Sequence, residues 1–175
     1  MAVEGAGELG NGALHPLMTP VHLLILVGLA LLLGQQVPLD LGKRLRVFAP
    51  VSALALLFTV SGTVKEIHPP GLIGLALCIA ILVALGKKLP RFTPEVICVL
   101  AAVGIGFDSA VDTGGLGNIL KTLTGTWLAV NALVFYIAIC ASNGADKQWA
   151  RAGIRVLGSW IIAISLMVLA FALRK

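Results

Sequence analysis

The sequence predicts an all-α polytopic membrane protein, a bundle of six transmembrane helices forming one integral membrane domain over residues 1–175. Three observations predict it. Hydrophobic residues make up 58% of the 175 residues and charged residues only 12%, whereas a soluble domain is nearer half apolar and a quarter charged. Mean hydropathy is +1.00. The apolar residues fall into six runs, each close to the roughly 20 residues that carry a helix across a bilayer.

The first span, about 19–36, is "TPVHLLILVGLALLLGQQ". Thr is a good N-cap and Pro suits the first helical position, so Thr19-Pro20 reads as the helix start. The second span, about 46–64, carries Pro50 near its start, where the first turn has spare N–H groups. The third, about 70–86, follows the stiff pair Pro69-Pro70. The fourth, about 93–110, opens on Thr93-Pro94 and so repeats the opening of the first. The fifth covers about 126–142 and the sixth about 153–173. Spans one and four share an opening and run in opposite directions, the pattern of a three-plus-three inverted repeat. Residues 1–14 contain no Lys or Arg. They read as a flexible outer lead-in, not as a cleavable signal with its positive n-region.

Lysine and arginine placement sets the orientation. Nine of them, in the loops after spans one, three and five, lie on one side: Lys43, Arg44, Arg46, Lys87, Lys88, Arg91, Lys147, Arg151 and Arg155. Four lie on the other: Lys65, Lys121, Arg174 and Lys175. The richer side is expected in the cytoplasm, with both termini outward. The net charge of +5 therefore belongs to loops at a membrane. It is not interleaved with aromatics as a nucleic-acid patch would be, so no nucleic-acid partner is expected.

No P-loop, dinucleotide fingerprint, Ser-His-Asp order or HExxH occurs, so the chain does not read as an enzyme and needs no resident cofactor. Cys78, Cys98 and Cys140 each sit inside an apolar run without a CxxC, as buried small hydrophobes do. Lys147, Arg151 and Arg155 recur at four-residue spacing, which makes a basic face toward lipid headgroups. Asn131 sits one turn beyond Trp127, suited either to lining a path or to joining helices.

The expected topology collects ionisable residues on the outer face. His15 and His22 flank the start of span one, Glu66 and His68 lie in the loop "KEIHPPG", and Asp108 and Asp112 lie at the end of span four in "GFDSAVD". Imidazole and carboxylate together form a donor set for a divalent transition metal. On one continuous helix seven residues would hold His15 and His22 about 10.5 Å apart, too far for one ion. Pro16 and Pro20 interrupt that helix and allow the rings to converge. His22, Asp108 and His68 are expected to meet near the surface, with His15 on a mobile lead-in as the ligand of first contact.

The His-Pro pair followed closely by His, the helix ending "LLLGQQ", the loop "EIHPPG" and the later "GFDS" resemble the HupE/UreJ family. These are small polytopic membrane proteins associated with hydrogenase and urease accessory functions. The likeness spans most of the chain and carries over His15 and His22. It implies a permease for nickel or cobalt in a bacterial inner membrane. The better-described branch has His-Pro, five residues, then Asp-His; here only four residues follow Pro16 before Val21, which stands where that Asp would be, so the chain would sit on a divergent branch. The partners expected are the lipid bilayer, a divalent metal ion as cargo, and other membrane subunits. The alternative is a non-transporting accessory subunit of a larger membrane complex.

Overall fold

The computed structural model describes residues 7–36, 40–61, 69–90, 92–110 and 115–174. They form seven helices and, among the described residues, no strand: α1 (Gly7–Met18), α2 (Pro20–Gln35), α3 (Leu41–Thr59), α4 (Pro69–Leu85), α5 (Thr93–Asp108), α6 (Leu116–Asn143) and α7 (Gln148–Leu173). The all-α expectation holds. Helices α2 to α7 fall on the six expected spans, and α1 is an addition to them.

The lengths divide the helices. At 1.5 Å per residue a helix of 16 or 17 residues reaches about 24–26 Å, short of a hydrocarbon core near 30 Å. Helices α2, α4 and α5 are of this length. Among the described residues only α6 and α7 are individually long and apolar enough to cross, and α1 with α2 makes a third if the bent pair counts as one span. Length and composition therefore carry two or three membrane spans, not six. Helix α6 also begins well before the expected residue 126, because its first turns have their own partner in α1.

Helix α2 is the hub and packs against α4, α5, α6 and α7 as well as α1. Ile25, Leu26, Leu29, Leu32 and Leu33 are fully buried, and α2 is apolar all round, as suits a helix enclosed by others. Successive helices from α2 alternate in direction. Arg44 at the start of α3 meets Leu33 at the end of α2, and Asp108 at the end of α5 meets His22 at the start of α2. Arg155 near the start of α7 bonds Ala84 at the end of α4.

This alternation gathers the chain's polar features at two opposite ends. One end holds His15, His22, Asp108 and the start of α6. The other holds the start of α3, the segment after α4, and the α6–α7 turn. The second end carries Lys43, Arg44, Arg46, Lys87, Lys88, Lys147, Arg151 and Arg155, while Lys121 and Arg174 belong to the first. Gln36 closes the basic end: its side chain donates to the Lys87 carbonyl at 3.3 Å and accepts from the Leu89 amide at 2.9 Å.

Arg44 is not a loop residue as the charge pattern suggested. It lies buried in α3, 9% exposed, and donates Nη1 to the Leu33 carbonyl at 3.0 Å. A cation at a helix C-terminus meets the negative end of the helix dipole, which makes this a favourable place to bury one.

Candidate functional site

The site is built by two prolines. Pro16 lies inside α1 and has no N–H, so the Gly12 carbonyl four residues back has no helical donor. Thr126 of α6 supplies one, its hydroxyl donating to that carbonyl at 2.9 Å. The exchange needs close approach. A Cβ added at Gly12 would collide with the Thr122 carbonyl, and one at Gly125 with the Leu9 carbonyl. Residues 7–14 are therefore not a flexible lead-in but a helix docked on α6. His15 rides on that helix and is not mobile.

Pro20 makes the second break. Its missing N–H ends α1, and the residue before a proline is driven to extended backbone. Thr19 adopts it, at φ −94° and ψ 105°. Thr19 gives no side-chain cap to α2. Its amide donates to the His15 carbonyl at 3.1 Å and its hydroxyl to the same oxygen at 3.0 Å, fastening the corner. Helices α1 and α2 meet there with a bend of 76°.

The corner brings the histidines together. Their ring centroids lie 5.5 Å apart at an interplanar angle of 74°, where one straight helix would hold the residues about 10.5 Å apart. His22 is fully buried in the first turn of α2 and its Nε2 lies 2.9 Å from Asp108 Oδ2; the Asp108 side chain is 23% exposed. An ionised carboxylate only accepts, so opposite one His22 Nε2 carries the proton and donates. In the neutral ring the lone pair is then on Nδ1. Among the described residues His22 Nδ1 is buried without a hydrogen-bond partner, and so is His15 Nε2.

Asp108 sits at the last position of α5. The next residue, Ser109, is buried and donates its hydroxyl to the Ile105 carbonyl at 2.7 Å, which holds the end of the helix. The structure thus brings together three of the six expected site residues: His15, His22 and Asp108. Glu66, His68 and Asp112 lie outside the described residues. Among the described residues no group of three or more His, Cys, Asp or Glu is arranged to hold a metal ion. The donors on offer are two imidazole nitrogens, with the carboxylate behind one of them. That is the arrangement in which a ligating histidine gives its other N–H to a carboxylate that fixes its tautomer and raises its basicity.

Several contributing residues carried little signal in the sequence. Thr126 and Gly125 hold α1 in place, yet each is an ordinary small residue of an apolar helix. Asn131 donates to the Trp127 carbonyl at 2.8 Å and approaches Ser52 Oγ at 3.5 Å, while Trp127 Nε1 donates to Ala49 at 2.9 Å. These bonds join α6 to α3 in the layer below the corner. Among the described residues Asn131 Oδ1 is buried without a partner.

The fold and site describe an all-helical protein with the long apolar helices of a membrane protein and an imidazole–carboxylate pair at one end. Comparison with known protein families, with curated proteins and with solved structures finds no match.

Proposed function

We propose that this chain is a membrane permease for a divalent transition-metal cation, and that it captures the ion at the His15–His22–Asp108 corner. One observation carries this reading: among the described residues His15 Nε2 and His22 Nδ1 are both buried without a partner in adjacent rings, and His22 is hydrogen-bonded to Asp108. A buried polar atom left unpaired costs roughly 1–3 kcal/mol. Such costs persist where a site uses the free lone pair, and neutral imidazole suits nickel, copper, zinc and iron. The ion is cargo. Glu66, His68 and Asp112 belong to the same proposed donor set, and the likeness to the HupE/UreJ family points to nickel or cobalt.

In this reading helices α2 to α7 sit as six membrane-embedded helices with the basic end in the cytoplasm and both termini outside. The segregation of basic residues to one end supports it. The test is metal content of cells expressing this chain alone, across nickel, cobalt, zinc and manganese. The expected result is accumulation of one or two of these metals, abolished by His22→Ala in protein that still reaches the membrane. Metal content equal to that of control cells for every metal would replace the permease with the accessory-subunit reading.

A further inference from the structure

The opposite, basic end contains a cavity that metal capture does not use. It has a volume of about 520 Å³ and lies between the end of α2, the segment after α4, the α6–α7 turn and the start of α7. Lys88, Arg151 and Arg155 line it together with Gln35, Gln148 and a single carboxylate, Asp146. Three cations thus share a concave space with one anion, its walls part polar and part apolar. The four-residue spacing puts Arg151 and Arg155 on one face of α7. Lys88 comes from a segment more than 60 positions earlier, so the charges meet through the fold and not along one helix.

The details of the wall favour an anionic guest. Arg155 uses Nε to donate to the Ala84 carbonyl at 2.9 Å, and no hydrogen bond from its terminal nitrogens occurs among the described residues. Neither Lys88 nor the Arg151 guanidinium makes an ion pair or side-chain hydrogen bond there, although Asp146 stands at the same cavity. The start of α7 adds to this. Its N-cap, Lys147, gives no side-chain cap, and its first turn has no acidic residue. The partial positive charge of that 26-residue helix adds to the three cations, and Asp146, one position before the N-cap, is the carboxylate of the cavity set against them.

We infer that this cavity is a binding site for a phosphate-bearing anion. Guanidinium forks match the geometry of phosphate oxygens better than ammonium groups do, and two of the three cations are arginines. Basic pockets between membrane helices on the cytoplasmic side take anionic lipid headgroups. A soluble phosphate offers the same oxygens, so the source is a matter for experiment.

The full chain, purified in mild detergent, is tested with two probes. Phosphatidylglycerol and phosphatidylcholine are compared by native mass spectrometry, and inorganic phosphate is titrated against the lipid adducts. Phosphatidylglycerol is expected to bind at least tenfold more tightly than phosphatidylcholine. The Lys88→Gln/Arg151→Gln variant is expected to lose that preference, and so, in part, is Arg151→Gln alone, a single change at an exposed side chain. Arg174→Gln, at the other end of the molecule, is expected to leave it intact. Displacement of the adduct by millimolar phosphate assigns the cavity to a soluble phosphate; persistence of the adduct assigns it to the headgroup. The inference is overturned if the parent binds neither probe, if the double variant binds as the parent does, or if Arg174→Gln weakens binding as much as the double variant.

Discussion

His22 and Asp108 work as one unit, with the carboxylate setting which imidazole nitrogen is free. Removing it should let the ring rotate and change tautomer. Asp108→Ala is expected to raise the metal concentration for half-maximal uptake about 10–100-fold, the usual cost of losing a carboxylate behind a ligating histidine. Asp108→Asn should keep part of the orientation through its carbonyl and lose less. His15 is held on a docked helix, so His15→Ala should be as damaging as His22→Ala. A His15→Ala protein with unchanged uptake would reduce the capture site to His22 and the segments outside the described residues. Acid acts on the same lone pairs. Imidazole binds metal only when unprotonated. Uptake should therefore fall as the outer medium is acidified, a profile readable from initial rates across buffered media.

The corner between α1 and α2 is a structural device with two separable parts. Pro20→Ala restores an N–H for the Pro16 carbonyl and frees Thr19 from its extended backbone. The helix is then expected to run on, separating the rings toward about 10.5 Å. Uptake should drop while the protein still elutes as a folded species, and spin labels on α1 and α2 should report a longer separation. Unchanged label distances would show that docking on α6, not the proline, holds the bend. Thr126→Val probes that docking. It leaves the Gly12 carbonyl without its donor and should destabilise the protein by about 1 kcal/mol, seen as a lower melting temperature in detergent. Gly125→Leu should do more, because its side chain collides with the backbone of α1.

The molecule is polarised from end to end, with imidazoles and Asp108 at one pole and most of its lysines and arginines at the other. The membrane orientation we propose rests on this pole, because cytoplasmic segments are enriched in Lys and Arg. A reporter fused after residue 89 should be active only in the cytoplasm, and one fused after residue 175 only outside. A cytoplasmic residue 175 would invert the molecule and place the histidine corner on the inner face. Helices α2, α4 and α5 are individually short for a bilayer, yet α2 and α4 are almost wholly apolar, with α2 packed against α4, α6 and α7 and α4 against α2 and α7. Neighbours that shield a short helix, or a bilayer locally thinned around it, accommodate such a mismatch.

Composition and periodicity were enough to read the helical class and the positions of α2 to α7, because apolar runs bounded by Pro, Gly and charge are a local property. The two prolines also announced a break between His15 and His22. The sequence alone could not show α1. "GELGNGALHPLM" contains three glycines and a proline, poor helix formers whose cost is met only by docking on Gly125 and Thr126 of α6, more than 100 positions away. Arg44 was misread for a similar reason. An arginine between apolar runs looks like a loop charge until the end of α2 places a carbonyl beside it. The pairing of His22 with Asp108, 86 positions apart, is also a product of packing, since each residue only marks one end of its own helix. Residue types and helix ends are written locally, whereas which ends meet depends on how α2 is enclosed, and that depends on every helix around it.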